Sequence, residues 1–169
     1  MPSALALAIL PGLDGGARLR ADFVAAVAPA FEQIIIVEYP ESGPQDLGTL
    51  EHVARIALPV DRPFVLLGES FSGPISLRIA GAPPHNLRAL VLSTTFARRP
   101  TRFSGAAVLL KPLLRLAMGA VPPAALPRSW IRWWLLGSAA PPTLVEAVRD
   151  EILALDVGVL RARTCSDYG

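Results

Sequence analysis

The chain has 169 residues, of which 52% are hydrophobic, and it carries a formal net charge of +2 with a mean hydropathy of +0.45. This length supports one buried core, and no apolar run reaches the ~18 residues of a membrane-spanning helix. The single cysteine, Cys165, excludes an internal disulfide and has no ligand-spaced partners that would indicate a metal site.

The chain begins with an apolar run at 4–10 that no basic residue precedes. A signal peptide would need a basic start and a small-residue cleavage site, whereas this run leads directly into Pro11 and Gly12. We interpret the run as a first strand. A cytoplasmic location follows as the default.

Apolar strands alternate with amphipathic helices in the first part of the chain. The strands are predicted at 4–10, 33–39, 64–67 and 87–93, and the helices at 17–28, 49–58 and 72–82. Because these strands are apolar throughout, we expect helices on both faces of the sheet, which is the parallel arrangement. The pattern therefore predicts an α/β core with a partial parallel sheet at 1–96.

From about residue 97 the predicted elements are helices alone. They lie at 106–118, at 129–136 and from 143 onward, where Thr143 and Glu146 have the spacing of a capping box. The periodic pattern ends after Asp156. We predict a helical cap or lid at 97–156 and an irregular tail at 157–169.

A serine between small residues follows the third predicted strand. Residues 68–73, the elbow segment, read Gly-Glu-Ser-Phe-Ser-Gly with Ser70 at the turn. Where a chain reverses sharply from strand to helix, the positions two before and two after the turning residue must be small, as Gly68 and Ser72 are. The pattern predicts a nucleophile elbow supported by Gly68, Ser72 and Gly73. An ordinary helix N-cap, which serine also favours, is the alternative.

A second motif follows the first predicted strand. Residues 11–15, the first turn, read Pro-Gly-Leu-Asp-Gly. Together the two motifs resemble those of the α/β-hydrolase family, with the first turn standing where the family has its His-Gly oxyanion turn. Their order and spacing agree with the family, and Ser72 at the last position of G-x-S-x-G is a mild departure. The resemblance covers the family's N-terminal sheet half and cap.

The resemblance implies a serine hydrolase that acts on an ester or thioester of a small or acyl substrate, with no cofactor and no metal. Ser70 would attack the carbonyl carbon, and the backbone N–H groups of Leu13 and Phe71 would hold the resulting oxyanion.

The family's acid and base have no counterpart in the sequence. The triad order is Ser, then Asp or Glu, then His, yet no acidic residue lies between Ser70 and Glu146, and the last histidine is His85. We expect His52 and His85 on the surface, away from Ser70, and a chain that is C-terminally truncated relative to the family. The alternatives are a catalytically incomplete remnant or binding domain and, more weakly, a nucleotide-binding domain.

Basic residues accumulate where the chain has no acidic ones. Seven of them lie after residue 97: Arg98, Arg99, Arg102, Lys111, Arg115, Arg128 and Arg132. Such a segment predicts a positive field that would attract an anionic substrate or an acidic carrier protein, and a solvated basic face is the alternative. No nucleic-acid-binding motif accompanies it, so we expect no nucleic-acid partner.

All three tryptophans, Trp130, Trp133 and Trp134, lie in one predicted cap helix. They would line an acyl pocket facing Ser70, since such pockets are mostly apolar. The alternative is that they pack the cap onto the core.

Overall fold

The predicted strands pair into one parallel sheet. The computed structural model describes residues 5–95 and 127–165. Within them lie β1 (Ala6–Leu10), β2 (Gln33–Ile36), β3 (Phe64–Glu69) and β4 (Leu87–Ser93). The sheet order is β2-β1-β3-β4 and every pairing is parallel, which confirms the predicted α/β class.

The direction of travel across the sheet reverses after β2. The chain passes from β1 outward to β2, then returns across β1 to β3 and continues to β4. At such a reversal a crevice opens outside the carboxyl ends of the two central strands. Leu10 at the end of β1 pairs in register with Gly68 in β3. The first turn and the elbow segment therefore leave the sheet side by side at this crevice.

Three helices connect the described strands: α1 (Ala21–Val27), α2 (Leu47–Ala57) and α3 (Gly73–Gly81). Short 3₁₀ turns at Arg18–Arg20 and Ala28–Ala30 flank α1. α2 begins before the predicted start because Asp46 caps it, its carboxylate accepting the Thr49 N–H at 3.0 Å. α3 tolerates Pro74 because this residue lies in the first turn, where a missing N–H loses no helical hydrogen bond.

β1 lies at the centre of the core. Its residues are all buried, and the buried side chains of α2 and α3, among them Leu50 and Ile75, belong to the same cluster. β4 lies at the edge of the described sheet, and its neighbouring residues Val91 and Leu92 are 43% and 41% exposed. Successive strand residues point to opposite faces of a sheet, so Val91 and Leu92 are exposed on different faces of β4. The expectation that helices cover both faces of the sheet therefore holds for β1 and is wrong for β4.

A second, smaller core holds the helices after residue 127. They are α4 (Arg128–Ile131), which continues as a π-helical turn (Arg132–Leu136), and α5 (Pro142–Ala154). Ile131, Ala140 and Val145 form the buried cluster between them. The predicted capping box is wrong: α5 begins at Pro142, whose fixed φ suits the first helical position, and Glu146 pairs with Arg128 instead of the helix start.

The predicted irregular tail is wrong for residues 157–165, which form α6 (Val157–Cys165). The Asp156 carboxylate accepts the backbone N–H groups of Gly158 at 2.7 Å and Val159 at 3.2 Å, so this helix has an N-cap. The sequence pattern does not predict this helix, because its apolar periodicity is weak and its most deeply buried side chain is an arginine, Arg163.

The predicted helix at 106–118 lies outside the described residues. In the part of the chain that the structure describes, no helix has the length and apolarity to cross a bilayer. The division into a core at 1–96 and a cap at 97–156 stays a prediction.

Candidate active site

The elbow segment turns the chain from β3 into α3. Ser70 follows the last residue of β3, opens a 3₁₀ turn (Ser70–Ser72) and has a φ of +48°. A positive φ outside glycine costs on the order of 1–3 kcal/mol and persists only where the surroundings enforce it. Thr95, just after β4, contributes to this constraint because its Oγ1 donates a hydrogen bond to the Ser70 carbonyl.

The two glycines of the elbow segment leave no room for a side chain. A Cβ on Gly68 would lie 2.7 Å from the Ser76 Cβ, and a Cβ on Gly73 would lie 2.7 Å from the Thr95 Cγ2. Both separations are far below van der Waals contact. The requirement for small residues that the sequence predicted at Gly68 therefore has a physical cause in the structure.

Ser72 joins the elbow segment to the first turn. Its side chain is fully buried, and its Oγ donates a hydrogen bond to the Pro11 carbonyl. The Tyr39 hydroxyl lies 2.8 Å from the same Oγ and, since Ser72 already uses its proton, Tyr39 is the donor in this second bond. A glycine at this position could make neither bond, so the departure from the family pattern has a structural role.

A buried arginine makes a second link between the same two segments. Arg20 is 4% exposed; its Nε donates to Glu69 at 2.8 Å, and its Nη2 donates to Asp14 at 3.0 Å. Burial alone would lower the pKa of Arg20, but the hydrogen bonds and charges of Asp14 and Glu69 raise it above its ordinary value. Sequence reasoning missed this residue, because nothing local distinguishes Arg20 from a surface arginine.

The first turn presents one backbone donor outward. The Gly15 N–H bonds to the Gly12 carbonyl at 3.1 Å, and Gly15 has a φ of +74°. Because a trans peptide holds its N–H opposite its C=O, this bond directs the Leu13 N–H away from the turn. Within the described residues no acceptor takes the Leu13 N–H. The oxyanion roles of Leu13 and Phe71 stay predictions.

Ser70 has no base beside it in the described part of the chain. Its side chain is half-buried, and no described side chain hydrogen-bonds its Oγ. His52 lies exposed on α2, and His85 lies exposed just before β4, at the amino edge of a parallel sheet whose carboxyl edge carries Ser70. The expected surface position of both histidines is therefore confirmed.

Three carboxylates of the described residues are engaged in ion pairs. Glu69 and Asp14 both bind Arg20, while Glu151 of α5 pairs with Arg18 at 3.1 Å. Among the described residues, no cluster of His, Cys, Asp and Glu has the arrangement of a metal site.

The residues of the predicted cap are described only in part. Trp133 is 76% exposed. The structure does not describe the side chains of Trp130 and Trp134, and the pocket-lining role of all three stays a prediction. Of the seven basic residues, Arg128 pairs with Glu146, Arg132 donates to a backbone carbonyl, and the other five lie outside the described residues.

Replacing Gly68 tests the tightness of the elbow segment. We expect Gly68→Ala to lower the free energy of unfolding by about 1–3 kcal/mol, because its methyl group must displace Ser76. The matched control is Gly81→Ala, where a Cβ meets nothing within 4 Å, so stability should stay level or rise slightly. Urea unfolding of both variants makes the comparison, and equal stabilities would contradict the tight elbow.

The buried phenol of Tyr39 predicts a pH dependence of stability. Burial raises its pKa above the ordinary value of 10, against the opposing effects of the Ser72 hydrogen bond and the Arg163 charge. Above pH 10 the unfolded chain releases this proton while the native protein keeps it. Stability should therefore fall with rising pH by up to about 1.4 kcal/mol per unit from this group.

Urea titrations between pH 9 and pH 11 measure this slope, and Tyr39→Phe should have the shallower one. The same slope in both proteins would show that Tyr39 titrates alike in the folded and unfolded states.

Comparison with known proteins finds neighbours among solved structures. No protein-family model and no curated protein matches the chain significantly. The N-formylmaleamic acid deformylase from Pseudomonas putida S16, solved as a serine-to-alanine variant, aligns with a TM-score of 0.62 and 18% identity over 96% of this chain and 66% of its own. A hydrolase from Pseudomonas aeruginosa PA01 aligns with a TM-score of 0.58 and 20% identity over 96% and 63%.

This chain therefore spans about two thirds of the length of each neighbour. At such low identities the similarity establishes the fold and nothing finer. The parallel sheet, its strand order and these two neighbours agree with the resemblance that the two sequence motifs carry: the chain has the α/β-hydrolase fold.

Proposed function

We propose that the protein is a serine hydrolase that cleaves an ester or thioester of a small or acyl substrate, with Ser70 as its nucleophile. The observation that carries this proposal is the position of Ser70. It stands at the carboxyl end of a central strand, beside the switch in strand order, with a positive φ and an Oγ that no described side chain binds. Ligands of open α/β sheets bind at that edge.

In the proposed reaction the Ser70 Oγ attacks the substrate carbonyl and a base takes its proton. The tetrahedral oxyanion would be held by the N–H groups of Leu13 and Phe71, each such donor typically contributing ~10² to 10³ in turnover. Departure of the alcohol or thiol leaves an acyl group on Ser70, and water then releases it. The outward N–H of Leu13 supports its part in this scheme.

The base is proposed to come from polypeptide beyond these 169 residues. A serine without a base is a weak nucleophile; His52 lies exposed on α2, and His85 lies at the amino edge of the sheet, opposite the edge that carries Ser70. Both structural neighbours are longer than this chain, which agrees with a protein of which the catalytic base is not part of this sequence.

The proposed substrate class, an ester or thioester, follows from the chemistry of a serine nucleophile, and one structural neighbour adds a further compound to test. One neighbour is named for removing a formyl group from an amide, so a formamide belongs beside esters and thioesters in a substrate panel. An acidic carrier protein is a further proposed partner, resting on the basic segment of the sequence. A cytoplasmic location stays part of the proposal.

A second candidate is a binding or remnant domain without catalysis. The exposed positions of both histidines favour it, because within the described residues neither histidine hydrogen-bonds the Ser70 Oγ. The two candidates differ in one property, namely whether an added base restores chemistry at Ser70.

Imidazole supplied in solution separates these candidates. We expect the chain to hydrolyse p-nitrophenyl esters in an imidazole-dependent manner, at least about tenfold faster than Ser70→Ala in the same buffer, since general-base catalysis typically contributes 10² or more. Ser42→Ala, at an exposed loop position, is the matched control and should equal the parent protein. Equal rates for the parent protein and Ser70→Ala would favour the binding domain.

A further inference from the structure

α6 inserts one arginine against the first turn. Arg163 is 1% exposed, and its Nη1 donates to the Leu13 carbonyl at 2.8 Å although the two residues are 150 positions apart. Its Nη2 donates to the Pro40 carbonyl at 3.1 Å, and its Nε donates to the Gln45 amide oxygen at 2.9 Å. One guanidinium thus holds two loops that leave the carboxyl edge of the sheet.

The same guanidinium occupies the space over Gly15. A Cβ on Gly15 would lie 2.9 Å from the Arg163 Cζ, so only a glycine lets the arginine approach the turn this closely. The Arg163 Cζ also lies 5.7 Å from the centroid of the Tyr39 ring, whose backbone N–H binds the Gly15 carbonyl at 2.9 Å. The first turn is therefore enclosed by Arg163 and Tyr39.

These contacts fix the backbone of Leu13 on both sides. The peptide before Leu13 is held because its Gly12 carbonyl accepts the Gly15 N–H, and the peptide after it is held because the Leu13 carbonyl accepts Arg163. Fixing both peptides fixes the direction of the Leu13 N–H. A preorganised donor of this kind needs no reorganisation when charge develops on a substrate oxygen.

We propose that Arg163 is a positioning residue that aims the Leu13 N–H at the oxyanion of the reaction. The catalytic part of this inference rests on the proposed function. Packing alone does not call for an arginine here, because a methionine would fill a similar space without the cost of burying a charge. The guanidinium supplies directed hydrogen bonds to the turn, which an apolar side chain cannot do.

The test compares Arg163→Met with Arg161→Met, an exposed arginine on the same helix, in the full chain. Amide hydrogen exchange of the peptide covering residues 11–16 should become about tenfold faster in Arg163→Met, because the turn loses a charge-assisted hydrogen bond. It should stay unchanged in Arg161→Met. Arg163→Lys, which keeps the charge and one donor group, should fall between the two and serves where Arg163→Met does not fold.

Ester hydrolysis in imidazole provides the second readout. In samples that circular dichroism shows to be folded, kcat of Arg163→Met should fall about 10-fold or more while KM changes little, since one oxyanion donor is misdirected. Unchanged exchange at residues 11–16, or faster exchange with unchanged kcat, would overturn the proposal. Were the parent protein to lack Ser70-dependent activity, the proposed function would fail, while the exchange result would still decide whether Arg163 holds the turn.

Discussion

The arrangement of the candidate site depends on the buried guanidinium of Arg20. It binds Asp14 in the first turn and Glu69, the residue before Ser70, across 49 positions of sequence. A buried charge that loses a partner is destabilising, so the Arg20 guanidinium opposes the separation of the two segments. Together with the hydrogen bond from Ser72 to the Pro11 carbonyl, this ion pair makes the first turn and the elbow segment one rigid unit.

Rigidity at this edge has a direct chemical meaning. A nucleophile and an oxyanion donor must keep a fixed geometry to stabilise a transition state. Ser70 and Leu13, which we propose for these two roles, belong to segments joined by polar contacts. The positive φ of Ser70 is sustained by the same surroundings, including the hydrogen bond from Thr95. Arg163 extends this framework to α6, so the helix farthest along the described chain supports the turn nearest its start.

The sequence predicts the parallel sheet, the strand positions and the steric role of Gly68 because each depends on local pattern: apolar runs, and small residues around a sharp turn. The roles of Arg20 and Arg163 could not be predicted, because Arg20 binds Glu69 49 positions away and Arg163 binds Leu13 150 positions away. The residues adjacent to a buried arginine in the sequence do not distinguish it from an arginine on the surface. α6 was missed for the same reason, because its anchor is a charge and its periodicity is weak. Trp133 is the opposite case: residue type alone would suggest a buried side chain, yet this tryptophan is exposed.

The central claim is that Ser70 is the nucleophile of this fold. The most direct measurement treats the chain with a fluorophosphonate in imidazole buffer and locates the adduct by peptide mass spectrometry. We expect one adduct, on Ser70, and none on Ser72, whose Oγ is buried and engaged with Pro11 and Tyr39. An adduct on another serine, or none on Ser70 at any imidazole concentration, would contradict it.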